Sequence, residues 1–154
     1  MQDDGRVHIL VFTDTFFEVN GIGSYYRAFL DWNARTNRAR VTIICPARAD
    51  LPAHGYGEQV VGVRGIPQWR NPFYRDLILG YFSPSAQARI IRATTGPKVV
   101  HVATSGALGV AGGHAARRLR VPFVGYYHTD LQRCAELPGG VRQRCLPGGV
   151  LLRP

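Results

Sequence analysis

"VHILVFTDTFFEVNGIGSYYRAFL", residues 7–30, passes through three kinds of patterning in one stretch. Its first six residues, VHILVF (7–12), form a β-branched apolar run, the composition of a strand buried on both faces. Further on, Ile22, Tyr26, Phe29 and Leu30 recur at the spacing of one apolar helix stripe that faces a sheet. Between the two lies the loop DTFFEVNGIGS (14–24), with Gly21 and Gly23 just before the helix. Strand, loop and amphipathic helix in that order read as the opening of a βαβ unit.

The rest of the chain repeats the alternation. VTIICP (41–46), VVHVAT (99–104) and VPFVGYY (121–127) read as further buried strands, and QVVGVRGI (59–66) as a fifth. A second helix starts at Ser83–Pro84, with Ser as cap and Pro in the first turn, and stops at Gly96–Pro97. A third runs from Ala107 to Arg118, with Leu108, Ala111, Ala115 and Leu119 on one face; Gly112 and Gly113 either weaken it or permit close packing. The fold class expected is α/β, a Rossmann-like parallel sheet with helices on both faces. Residues 65–82, GIPQWRNPFYRDLILGYF, lack a clean period and predict a loop with a short helix beside the sheet's C-terminal edge. Packing is the first reading of Trp69, Phe73 and Tyr74, and a substrate-facing loop the second.

Composition narrows the classes. A chain of 154 residues, 45% hydrophobic, suits one domain with a core. Nineteen basic against ten acidic residues give a formal net charge of +9, and all the basic residues but Lys98 are Arg, whose planar fork suits phosphates and carboxylates. The charge is scattered. Its densest run, Arg117 to Arg120, ends the third helix, where it complements the helix dipole. No aromatic–basic module of the kind that reads single strands occurs, so nucleic acid is not an expected partner. Cys45, Cys134 and Cys145 form no C-x-x-C pair and read as reduced thiols. The acidic start MQDDGR does not read as a signal peptide, and no apolar stretch reaches the length of a membrane-spanning helix. The expected location is cytoplasmic, at most peripheral at the inner face of the plasma membrane.

Parallel sheets bind ligands at the carboxyl ends of their strands. Three such ends carry polar residues: Asp14 to Ser24, Thr104 to Gly109, and His128 to Asp130. They supply the candidate rim residues Asp14, Glu18, Ser105, Gly106, Thr129 and Asp130. Gly21 and Gly23, with Asn20 and Ile22 around them, can bring backbone N–H groups to an oxyanion at a helix start. His128 is the candidate catalytic residue, because it stands on that rim and imidazole can donate to a sugar hydroxyl or a phosphate near neutral pH. His8 and His101, inside strands, read as structural. No His/Cys/carboxylate cluster has metal-ligand spacing, no cofactor is expected, and no G-x-S-x-G elbow appears. A nicotinamide-type fingerprint fits poorly: Tyr26 stands at its third glycine, and the second strand ends in Cys45–Pro46 rather than an acid.

Three motifs in order carry a family resemblance over roughly residues 6–130. TDTFFEVNGI resembles the TDTY-x-P-x-V-N-G-V opening of family-4 retaining glycosyltransferases, notably GDP-mannose-dependent α-mannosyltransferases and related glycolipid enzymes. VVHVATSGALG is similar to their D-V-V-H-V-A-T-x-G-x-L-G, and VPFVGYYHTD to an apolar-P-x-apolar-x-S-Y-H-T-D segment. The resemblance implies the N-terminal, acceptor-side domain of a GT-B architecture, in which two Rossmann-like domains face each other across a cleft. It implies a nucleotide-sugar donor, GDP- or UDP-linked, and a lipid or glycan acceptor; the basic charge of the chain leaves an anionic membrane surface open as a further partner. Gly21 and its neighbours would approach the donor diphosphate, His128 the donor sugar near the reacting carbon, and Asn20 and Asp130 the same rim. No metal is required by that fold. Phe17–Glu18 depart from the family's proline-containing pair.

Residues 131–154 change character: QRC and LPGGV each occur twice, and neither periodicity continues. The expectation is therefore an incomplete N-terminal domain over 6–130, then an irregular tail, possibly out of the ancestral frame, in a truncated chain inactive alone for want of the donor-binding domain. The alternatives are a non-catalytic nucleotide-sugar or anionic-lipid binding module that works with a partner chain, and a nucleotide-cofactor oxidoreductase.

Overall fold

The computed structural model describes residues 5–18, 20–47, 59–70 and 78–126. Five parallel strands form one sheet: β1 (His8–Phe12), β2 (Arg40–Pro46), β3 (Val60–Val63), β6 (Lys98–Val102) and β7 (Phe123–Gly125). Their spatial order is β3-β2-β1-β6-β7, with β1 at the centre. Leu10 lies opposite Thr42 on one side and Val100 on the other. The expected Rossmann-like sheet is present, each strand lying within the run that predicted it apart from a one-residue extension at the start of β2 and of β6.

Among the described residues three helices cover the two faces: α1 (Gly21–Thr36) on one, α2 (Pro84–Ala93) and α3 (Ala107–Leu119) on the other. The right-handed crossover rule explains the split. From β1 the sheet grows outward to β2 and β3; from β6 it grows the opposite way to β7, so the connecting helices fall on opposite faces. Along β1 the side chains divide accordingly: Val11 joins Tyr26, Leu30 and Ile43 beneath α1, whereas Leu10 and Phe12 join Ile91, Leu108 and Ala115 beneath α2 and α3. Burial on both faces is why these strands read as unbroken apolar runs.

Helix ends follow local chemistry. The α1 helix stops at Asn37, whose φ of 50° lies in the left-handed region Asn tolerates and whose N–H returns to the Asn33 carbonyl at 2.7 Å. Ser83 occupies the cap position of α2, but its side chain makes no capping bond; Pro84 opens the helix, and the Ser83 carbonyl accepts from Ala86 and Gln87. Arg117 and Arg118 lie in the last turn of α3, as the dipole argument expects. The close-packing reading holds for Gly112: a Cβ there would lie 2.5 Å from the Phe12 ring.

One segment adds to the expectation. Within residues 65–82, read as a loop with a short helix, β4 (Gln68–Arg70) and β5 (Ile78–Gly80) pair antiparallel as a small second sheet, and residues 71–77 between them, where a short helix would fall, lie outside the described residues. Gln68 ties it to the main sheet, its amide donating to the Ala47 carbonyl at 3.0 Å and accepting from the Gly65 N–H at 2.8 Å. Aromatic composition suits a strand as well as a loop, and strands of three residues are too short to show an alternation. Trp69 is 51% exposed, against the packing reading; Phe73 and Tyr74 lie outside the described residues.

Candidate functional site

Between β1 and β6 the strand order reverses, and the loops that leave their carboxyl ends diverge there. Such a switch point is where open α/β sheets hold their ligands. Two of the three predicted strand ends, residues 14–24 after β1 and 104–109 after β6, therefore lie side by side. The third, His128, Thr129 and Asp130, lies outside the described residues.

Asp14 joins the two loops. Its N–H donates to Thr104 Oγ1 at 2.9 Å, and the Thr104 hydroxyl donates back to Asp14 Oδ2 at 2.6 Å. The same carboxylate accepts from the N–H of Leu108 (2.9 Å) and of Gly109 (3.2 Å), the first turn of α3. A side chain from a distant loop thus supplies the cap that Gly106, at the N-cap position itself, cannot. The carboxylate fills the anion-binding end of α3 from within, so this helix offers its positive end to Asp14 rather than to a ligand. Gly106 is needed for that approach: a Cβ on it would lie 2.4 Å from the Asp14 carboxylate. Ser105 beside it is exposed on the rim.

On α1 the two glycines of the loop have different surroundings. Gly23 is buried, its N–H donates to Asn20 Oδ1 at 2.7 Å, and a Cβ on it would meet the Glu18 carbonyl oxygen at 2.7 Å and that of Phe16 at 2.9 Å. Its lack of a side chain serves the loop. Gly21 is exposed, with nothing within 4 Å of the place a Cβ would take. Of the first four N–H groups of α1, Gly23 binds the Asn20 side chain and Ser24 the Asn20 carbonyl at 3.0 Å. The N–H groups of Gly21 and Ile22 have no acceptor among the described residues. They are the orphan donors of this terminus. The Ile22 side chain packs against the cluster beneath α1.

Asn20 is held by Glu18, whose Oε2 accepts from Asn20 Nδ2 at 2.8 Å. That bond fixes which end of the amide is the acceptor for Gly23. Glu18 is 7% exposed, so its carboxylate is turned into the loop. Arg27 reaches the same loop from the second turn of α1, donating to the Phe16 carbonyl at 2.6 Å, to that of Glu18 at 3.4 Å and to Ser24 Oγ at 3.2 Å. Sequence reading missed Arg27, and it placed Thr104 on the rim without its pairing to Asp14. The available signs were the four-residue spacing from Gly23 to Arg27 and the place of Thr104 two residues after β6, matching that of Asp14 after β1.

The strand histidines are bonded in the core side of the sheet. His8 is paired with Thr42 Oγ1 through Nε2 (2.8 Å) and His101 with the Tyr26 hydroxyl through Nε2 (3.0 Å). Burial, then the Tyr25 and Tyr126 phenols, holds the Tyr26 hydroxyl well above the ordinary tyrosine range. No group of His, Cys, Asp and Glu among the described residues is arranged to hold a metal ion, and no helix among them is long and apolar enough to cross a membrane.

Residues 19–149 match the family described as Glycosyltransferase Family 4. The chain belongs to that family. This chain is 33% identical, over 139 residues, to a GDP-mannose-dependent alpha-mannosyltransferase of Mycobacterium tuberculosis (strain CDC 1551 / Oshkosh), an overlap of 86% of this chain and 35% of the relative. It is likewise 33% identical over 144 residues to a GDP-mannose-dependent alpha-mannosyltransferase of Mycolicibacterium smegmatis, covering 90% of this chain and 37% of that one. A Corynebacterium glutamicum protein of the same name is 28% identical over 129 residues. The family-4 chain thus spans about a third of the length of these relatives. Its parallel Rossmann-like sheet fits the N-terminal part of the GT-B fold of this family.

Proposed function

We propose that this chain is the acceptor-side part of a retaining glycosyltransferase that moves mannose or a similar hexose from a nucleotide-sugar to a lipid or glycan acceptor. The observation that carries the reading is the pair of N–H groups, Gly21 and Ile22, that have no acceptor among the described residues, at a switch point in a chain of this family. Two orphan donors and the positive end of α1 suit an oxygen of the donor diphosphate, and Gly21 leaves room for it to come close. The names of the relatives favour GDP over UDP as the nucleotide. His128 would contact the donor sugar near the reacting carbon, with Thr129 and Asp130 beside it, and Ser105 and Gly106 would line the acceptor side of the crevice. Most donor contacts, including the basic groups that hold a leaving phosphate, belong to a second domain, so the chain alone is proposed to be inactive. Its Arg-rich surface fits an acceptor at an anionic membrane face.

Titrating GDP, UDP and NAD separately into the purified full chain, with the amide resonances of Gly21 and Ile22 as reporters, tests this. GDP is expected to shift both amides and NAD neither. A response to NAD alone, or to none of the three, overturns the donor reading. Sugar transfer from GDP-mannose by this chain at the rate of a full-length relative overturns the inactivity.

A further inference from the structure

The loop between β1 and α1 has an unusual interior. Its backbone carbonyls at Phe16 and Glu18 point back toward the first turns of α1 rather than outward to solvent. They converge on the space a Gly23 side chain would fill, and the Arg27 guanidinium stands there too, its Nη1 3.0 Å from that position. Both inward carbonyls need a donor, and the Gly23 N–H beside them is taken by the Asn20 side chain. Arg27 spans them with its two terminal nitrogens and anchors to Ser24 Oγ as well. A planar fork of donors is suited to this; a single ammonium is not.

We infer that Arg27 is a positioning residue: by drawing the Phe16 and Glu18 carbonyls inward it fixes the arc of the loop and leaves the Gly21 and Ile22 N–H groups as the orphan donors of this helix end. The hydrogen bonds of Arg27 all go to neutral oxygens, so among the described residues it is not spent on a carboxylate bond. The consequence for ligand binding rests on the reading above, in which those N–H groups meet a donor phosphate; the clamp itself does not.

The test uses the full chain, ¹⁵N-labelled, as wild type, Arg27→Met and Arg27→Lys. Without ligand, amide exchange at Gly23 and Ser24 is expected to rise at least about fivefold in Arg27→Met while Leu10 and Val11 in β1 stay unchanged, and Lys is expected to recover only part of the protection. Unchanged exchange at Gly23, or a rise shared equally by Leu10, overturns the clamp. Should the Met variant not fold, the Lys variant decides, and wild-type exchange in it overturns the need for a fork. With GDP as the probe, affinity is expected to fall about five- to tenfold in Arg27→Met. If GDP shifts no amide of the wild type, the phosphate reading fails while the exchange result still judges the clamp. If GDP binds wild type and Met variant alike, the positioning role fails and the phosphate reading stands.

Discussion

Asp14 and Thr104 exchange two hydrogen bonds across the switch point, N–H to Oγ1 at 2.9 Å and hydroxyl to carboxylate at 2.6 Å, though 90 residues separate them. The pair pins the loop after β1 to the turn after β6, and Asp14 then closes the first turn of α3. The crevice between these two strands therefore has a fixed floor, built from one of the residues that the sequence placed on its rim.

Removing that floor should be costly. Asp14→Ala strips two acceptors from buried N–H groups of α3 and one from Thr104, and loses a helix cap. A loss of about 2–4 kcal/mol is expected, read from the urea midpoint. Asp14→Asn keeps one acceptor and the shape, and should lose less than half as much.

Neighbouring glycines in α3 should respond in opposite directions. Gly113→Ala meets only Val102 Cγ2, at 3.5 Å, so the helix gains propensity and stability should rise by up to about 1 kcal/mol. Gly112→Ala places its methyl 2.5 Å from the Phe12 ring and should lower stability by about 1–3 kcal/mol despite the same propensity gain. Thermal melts of the two variants separate packing from propensity.

The pH dependence of stability should carry a mark from His8. Burial, then the positive charges of Arg40 and Lys98, lowers its pKa below the ordinary 6.5. A histidine with a lowered folded pKa binds fewer protons folded than unfolded, so its contribution is full above pH 6.5 and is lost as pH falls through the lowered value. Stability should decline on acidification below about pH 6.5, and His8→Gln, which can still bond Thr42, should flatten that slope in urea titrations at a series of pH values.

Cys45 should be chemically silent in the folded chain. It is fully buried, and burial pushes its thiol up to about 12, so almost no thiolate exists at pH 8. Brief iodoacetamide treatment followed by peptide mapping is expected to leave Cys45 unlabelled in buffer and to label it in denaturant. Labelling of the native chain at Cys45 would show that the α1 side of the sheet opens.

Much of the architecture was legible. VHILVF, VTIICP and VVHVAT are strands because a central parallel strand is dry on both faces, and dryness leaves a run of β-branched residues that no other element explains as well. The stripe through Ile22, Tyr26 and Leu30 located α1 because a helix on a sheet must bury one side. The hairpin β4–β5 was not legible, since three residues per strand record no period. Nor was the contrast between Gly21 and Gly23: both are the same letter two positions apart, and only the path of the loop carbonyls decides which is covered.

What the sequence by itself determined was the order of buried and exposed segments, hence the parallel sheet, its helices and the rim on which polar strand ends collect. Apolar burial is local in the chain, and its period can be read along it. What only the tertiary structure decided was where each polar group finds its partner. Asp14 turns to α3, Glu18 to Asn20, and Arg27 to the carbonyls of a loop before its own helix. Hydrogen bonds act over about 3 Å and in set directions, so they are fixed only once distant segments have been brought side by side.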